Sequence, residues 1–496
     1  MTISKKRRYK LYRGGGLKSL KNFKIKSKYI PSPSIVHPLP IVIEDNDINN
    51  DSPQHEQLTS YPLALPSNKI NKIINKYNTT QKQLVFFLKT ICSDAGVCIA
   101  FGIEEEIIKR FFKNFIQFQF LTTIKKYNKI SGNGFIYELQ YTRRNYNSYA
   151  IMKYNSYEGG DNIIYEFIVG LFINKLCKVV PCFIETYGLY KVNKNTHTIL
   201  KYNAINTSNK TEINVFKRSM TFITLNQIKQ QQFIKQTCNN FYYSILIQHI
   251  NNANTLKNVI SQNLNNLLLF SNNYLIYILF QIYYVLSRYM HIFTHYDLSL
   301  ENVLLYIPKH NNYIQYHYHC SDGTIIDFKS HYLVKIIDYA RSYFDYQTDN
   351  LAFEYDTQNS SVLHKAYEKL CSPLKDNGMN FIGLKINNTS DTYLLKLITK
   401  EMHINLIMEP EEIRQLLLKD LLIDDISTSK PAKTVRVVYD KLKDILMQEM
   451  VKINNNTLYL SEDWSKLGDL HIYAEETPMS FIPYTHLDAS IPHSSV

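Results

Sequence analysis

The segment His295-Tyr296-Asp297-Leu298-Ser299-Leu300-Glu301-Asn302, followed by Val303-Leu304-Leu305, holds an Asp and an Asn at a spacing of five. A carboxylate so placed can accept a hydroxyl proton, and an amide oxygen beside it can bind a hard divalent metal; together these acts suit phosphoryl transfer. Downstream, the β-type run Leu333-Val334-Lys335-Ile336-Ile337 leads into Asp338-Tyr339-Ala340. A carboxylate at a strand end is suited to holding Mg²⁺ between phosphates. Upstream, Ala150-Ile151-Met152-Lys153 puts a lysine on a strand, and Glu166 falls on the following helix, where it can pair with that lysine. Further upstream, Ser131-Gly132-Asn133-Gly134-Phe135-Ile136-Tyr137 reads as a glycine turn opening a strand, able to set backbone N–H groups near phosphates. Each piece has a plain reading: solvated charges for Lys153 and Glu166, a hairpin turn for the glycines, a helix cap for Asp297. Their order along the chain lifts the set above its members.

The elements that must position these residues follow from periodicity. From Gln81 to about Lys126 apolar residues recur at three and four (Leu84, Phe87, Leu88; Ile107, Ile108, Phe111, Phe112, Phe115), which predicts helices. Residues 135–141 (FIYELQY) and 148–154 (SYAIMKY) alternate as strands, and Ile163 to Leu176 is helical. A third strand covers 182–190, and a fourth covers 242–250. The Asn- and Lys-rich stretch 191–240 between them reads as an insertion. The remainder is predicted to be mainly helical, with short strands near 303–306 and 333–337. The longest apolar helix, Tyr274 to Leu286, is too short to span a bilayer and contains Gln281, so it reads as a buried helix. His317, His319 and Cys320 fall in a polar insertion, 309–331, and their alternation predicts an exposed strand rather than a metal site.

Composition bounds the rest. The chain has 496 residues, 45% hydrophobic and 13% aromatic, which is ample for a large core and excludes a wholly disordered protein. Its seven cysteines are scattered without a CxxC pair, so neither a disulfide scaffold nor a zinc framework is indicated. The formal charge of +13 is concentrated in residues 1–30, which hold eleven basic side chains and no acid. A Pro-rich, acidic stretch follows from Pro31 to Pro66, and residues 1–80 are predicted to be disordered. The early charges are not followed by an apolar signal segment. The basic tail is expected to bind nucleic acid or another acidic surface. Deleting residues 1–30 is predicted to abolish salt-sensitive polyanion binding without changing the melting of the globule, and binding that survives the deletion would refute this.

Taken in order, these motifs resemble the protein-kinase superfamily: glycine loop, strand lysine, helix glutamate, HxDxxxxN and a DFG-like Asp. The phrasing of 335–344 (KIIDYARSYF) and 181–190 (PCFIETYGLY) is most similar to kinase-like proteins of giant DNA viruses, the mimivirus relatives. The resemblance implies an α+β, bilobal fold. A β-rich N-lobe with one helix would cover 129–252, and a larger helical C-lobe with a C-terminal extension would cover 253–496. A helical extension (81–128) and the disordered tail would precede them. It implies ATP and Mg²⁺ as cofactors and transfer of the γ-phosphate to protein hydroxyls, Ser or Thr rather than Tyr. It also implies a place in the host cytoplasm or nucleus, or in the virion. Asp297 would be the base, with Lys153 on the α/β-phosphates, Glu166 as its partner, and Asn302 and Asp338 as metal ligands. Gly132, Gly134 and Ile136 would cover the nucleotide; Gln248, His249 and Ile250 would form the hinge against adenine. Asp391 would brace the catalytic loop.

Departures keep two alternatives open, a pseudokinase or virion scaffold and a small-molecule phosphotransferase. The glycine loop has two glycines, and Ala340 replaces the usual DFG glycine. Ser299 stands where a γ-phosphate-contacting lysine is usual. Tyr296 replaces the arginine that reads activation-segment phosphates, which implies activity independent of such phosphorylation unless Arg341 or Lys365 substitutes. Asp327-Phe328-Lys329 is a rival for the DFG position, with a poorer strand before it than Asp338.

Overall fold

Alternating large apolar residues build the central sheet. In β2 (Gly134–Arg143), Phe135, Tyr137, Leu139 and Tyr141 are fully buried, and in β3 (Tyr146–Asn155) so are Ala150, Met152 and Tyr154. The register pairs Phe135 with Tyr154, Tyr137 with Met152 and Leu139 with Ala150, so all share one face; Ile136 and Lys153 pair on the other. β1 (Leu121–Lys126) lies antiparallel to β2. After α1 (Ile163–Leu176) come β4 (Thr186–Val192), α2 (Lys194–Tyr202), β5 (Asn206–Thr207), α3 (Lys210–Arg218), β6 (Met220–Ile223) and β7 (Tyr242–Gln248). The seven strands run β5-β1-β2-β3-β7-β4-β6.

This computed structural model describes residues 108–127, 134–144, 146–155, 163–202, 206–224, 227, 242–250, 253–266, 270–345, 385–403, 434–453 and 464–483. The tail expected over 1–80, the helical stretch expected over 81–107, Gly132, and residues 346–384 including Lys365 lie outside them.

Both faces of the sheet are covered. On the first, Phe111, Phe112, Phe115 and Phe118 pack with Tyr141, Tyr154, Leu200 of α2 and Phe216 of α3 in one cluster. The polar stretch 191–240 therefore holds amphipathic helices whose apolar residues roof the sheet, with the buried Lys126 ammonium donating to the carbonyls of Leu200 and Lys201. On the second face lies α1, apolar nearly all round and buried accordingly.

The helix expected through Lys126 ends early. Residues 108–111 are helical, then Lys113, Asn114, Phe115 and Phe118 take positive φ, and Leu121–Lys126 is a strand. Cross-strand pairing with β2 overrides the helix-like spacing of the aromatics, so the sheet begins at 121 and not at 129.

The second half supplies β8 (Ala253–Thr255), α4 (Leu256–Gln262), a π-helical turn (Ser271–Leu275) leading into α5 (Ile276–Arg288), β9 (Phe293–Thr294), β10 (Val303–Tyr306), β11 (Asn312–His319), β12 (Ile325–Ser330), β13 (Leu333–Ile336) and β14 (Tyr343–Phe344). It closes with α6 (Tyr393–His403), α7 (Val435–Ile453), β15 (Ser465–Tyr473) and β16 (Ser480–Pro483). Three small sheets result: β13-β10-β8, β12-β11-β15-β16 and β14-β9. The fold is mixed α/β. α5 is buried from Ile276 to Ser287, and its Gln281 amide is satisfied by the Tyr332 carbonyl and the Val334 N–H. Among the described residues no helix is long and apolar enough to cross a membrane.

The insertion 309–331 is the hairpin β11–β12, and β15 from the C-terminal extension adds to it in parallel. His317 and His319 do share one face. His317 lies between Asp327 (2.7 Å) and Asp469 (2.9 Å), and His319 meets His471 at 3.1 Å. Cys320 contacts Tyr439 instead. Among the described residues no cluster of His, Cys, Asp or Glu is arranged to hold a metal.

Candidate active site

Strand alternation delivers Lys153 to the face opposite Met152 and Tyr154, toward α1. Its ammonium lies 2.7 Å from Glu166 Oε2 and 2.9 Å from Asp338 Oδ1. Glu166 is buried in the first turn of α1, whereas about a third of the Asp338 side chain is exposed. Burial disfavours the lysine's charge, but the two carboxylates outweigh it and hold its pKa above the ordinary range. The carboxylates part ways. Burial, with Asp338 nearby, raises Glu166 to about 7 despite Lys153. Burial acts on Asp338 too, yet Lys153, His295 and Arg341 keep it below the usual carboxylate range. Two acids sharing one cation are expected to separate in this way.

The loop after β9 carries Asp297. Asp391 holds it from below: its buried carboxylate accepts from the His295 N–H (2.8 Å) and the Tyr296 N–H (2.9 Å). Tyr296 sits at φ 64°, and its hydroxyl donates to the Lys385 carbonyl. Asp338 sits at φ 68°. Left-handed backbone at a Tyr and an Asp is costly and persists only where neighbours enforce it, commonly at functional sites.

His295 couples the two acidic loops. Its Nε2 lies 2.9 Å from the Ile337 carbonyl, which can only accept, so Nε2 carries the proton and Nδ1 accepts from the Asp297 N–H at 3.3 Å. Burial drives its pKa down to about 4, keeping the ring neutral near pH 7. Asn302 adds a second link: its amide donates to the Asp297 carbonyl (2.8 Å), and its own carbonyl accepts from the Ile337 N–H (3.0 Å). Ser342 extends the chain, donating to the His295 carbonyl and accepting from the Tyr165 hydroxyl of α1.

The Asp391 brace has a testable cost. Asp391→Asn leaves one backbone N–H facing an amide donor, which should destabilise the protein by about 1–3 kcal/mol. Chemical denaturation of the variant measures this, and an unchanged midpoint would show that the two N–H bonds contribute nothing.

The other expected residues fall less uniformly. Ile136 is the cross-strand neighbour of Lys153. A Cβ on Gly134 would meet the Tyr154 carbonyl at 2.1 Å, so close strand pairing already requires glycine there. Gln248 is buried, accepting from the Glu185 N–H through its side chain and donating its own N–H to the Glu185 carbonyl. His249 turns toward Tyr127 and Glu138, near the turn end of the β1–β2 pair. Ile250 is buried. Gln248 and Ile250 are buried, so what those two can offer a planar base is backbone, whereas the His249 ring is only partly buried, beside Glu138. Asp327 is engaged by His317 on β12, and Asp338, not Asp327, reaches Lys153.

The sequence assigned no role at this centre to His295 or Arg341. The Arg341 guanidinium lies 3.4 Å from Asp297 Oδ1. Adjacency to Asp297 and Asp338 in the chain was the available signal for both.

No protein-family model and no curated protein matches the chain. Among solved structures, a kinase domain aligns with 47% of the chain at 15% identity and a TM-score of 0.22; the chain spans 55%, about half, of that domain. WaaP in complex with acyl carrier protein aligns with 70% of the chain and 96% of its own length, at 11% identity and a TM-score of 0.23. At that level of likeness the functional reading rests on the geometry of the site.

Proposed function

We propose that this chain is an ATP-dependent phosphotransferase of kinase-like, bilobal architecture, acting on protein Ser or Thr hydroxyls. One observation carries the reading: Lys153 is held between Glu166 and Asp338, while Asn302 and His295 tie the Asp297 loop to the strand end before Asp338. Chance assembly of these residues, drawn from β3, α1 and two separate loops, has no structural purpose that an apolar core would not serve better.

The donor set fits Mg²⁺ and a nucleotide. Asp338 and Asn302 supply hard oxygen ligands, and few protein ligands are needed where phosphate oxygens complete the shell. When bound, the metal would neutralise charge on the transferring phosphate. Lys153, kept cationic by its two carboxylates, would bind phosphate oxygens. Asp297 would orient the acceptor hydroxyl and take its proton.

A scaffold without turnover is the second reading, favoured by the strand-pairing explanation of Gly134. Label transfer from γ-labelled ATP to a generic protein substrate separates the two. Transfer supports the enzyme; nucleotide binding without transfer supports the scaffold. A small-molecule acceptor competing in the same assay would redirect the substrate class.

A further inference from the structure

The loop His295–Asn302 contains no lysine or arginine, since Ser299 occupies the place of the expected cation. A terminal phosphate approaching Asp297 would therefore meet a carboxylate with no cation on its own loop. Arg341 is in that position. It leaves the short turn Tyr339–Arg341, closed by the Ser342 N–H on the Tyr339 carbonyl. The buried Tyr339 hydroxyl anchors the turn, donating to the Ile336 carbonyl at 2.7 Å and accepting from the Ile184 N–H at 3.0 Å. The guanidinium thus projects from a fixed base three residues beyond Asp338.

Its exposure matters. Arg341 is 29% and Asp297 36% exposed, so their contact lies at the open side of the site. At 3.4 Å the contact is long for a charge-assisted bond, normally about 2.7–2.9 Å. A planar fork with five donors can serve a carboxylate and a phosphate together. Burial raises the Asp297 pKa, with Arg341 opposing the rise, Asp338 adding to it and Lys153 opposing it.

We infer that Arg341 reads the terminal phosphate of the nucleotide, supplying from the turn after Asp338 the cation that Ser299 removes from the loop. The inference rests on the phosphotransferase reading and names how that site distinguishes ATP from ADP.

The test titrates the full-length chain with the β,γ-imido analogue of ATP and, separately, with ADP, each with Mg²⁺. In Arg341→Met, affinity for the analogue should fall about ten- to a hundredfold while ADP affinity stays within about twofold. Arg341→Lys should retain part of the discrimination. Adding Ser299→Lys to Arg341→Met should restore it by returning a cation to the loop. Equal losses for both nucleotides, or no loss for either, would overturn the assignment and leave the phosphotransferase reading standing. A wild-type chain that binds neither nucleotide would overturn both.

Discussion

Asp297→Asn should lower phosphoryl transfer by about 10²–10⁴-fold, the usual contribution of a positioned general base, while nucleotide affinity stays nearly constant. The asymmetry follows from position. The Asp297 side chain is at the exposed side of the site, and its backbone is fixed independently by His295 and Asn302. An amide of the same shape preserves those backbone bonds, so loop geometry should survive. What is lost is proton acceptance, which matters mainly in the transition state and so appears in kcat more than in KM. Single-turnover transfer and equilibrium nucleotide binding, measured on the same preparations, give the two numbers. Equal transfer rates in variant and wild type would remove Asp297 from the chemistry.

Lys153→Met should have the second large effect, on stability and activity together. Removing the ammonium leaves Glu166 and Asp338 facing one another without a cation, and breaking a buried ion pair costs about 3–5 kcal/mol. Glu166→Gln should cost less stability but still lower activity, because Asp338 alone then holds the lysine. The double variant should lose less than the sum of the single losses; strict additivity in that cycle would show that the two side chains act independently. The same network predicts a pH effect. With its pKa raised to about 7, Glu166 takes up a proton as pH falls through that value, and the charged pair with Lys153 is lost. Activity should fall on the acid side of about pH 7 in the wild type, and that limb should vanish in Glu166→Gln, which is neutral at every pH. A limb unchanged in the variant would assign the titration to another group.

The juxtaposition at the centre was legible because its chemistry restricts residue types. Lys153, Glu166, Asp297, Asn302 and Asp338 stand out as polar residues at element ends or on otherwise apolar elements, and the fold brings them together. The strands that carry them were legible from alternation. Other parts were hidden by the locality of such patterns. The spacing of Phe111, Phe112 and Phe115 looks helical whether it serves a helix or the roof of a sheet, and pairing with β2 is what makes Leu121–Lys126 a strand. In 191–240 the apolar residues, Leu200, Ile213 and Phe216 among them, are interspersed with so many Asn and Lys that the roof they form is masked. The sequence offers Arg341 only as a partial substitute for the arginine absent at Tyr296; the turn anchored by Tyr339 is what brings it to Asp297. Nothing local to 465–483 indicates a partner, because that partner lies far upstream.

That distant partnership has a consequence for biogenesis. Asn312 at the start of β11 and Ser465 at the start of β15 are hydrogen bonded across 153 residues of sequence. A growing chain therefore presents the β11–β12 hairpin with one edge unsatisfied until β15 emerges, and pairings of such high separation form late. Open edges template association with other chains. Fragments that stop before Ser465 should therefore aggregate even though they contain every residue of the Lys153–Asp338 centre, because β15 would no longer cover the β11 edge.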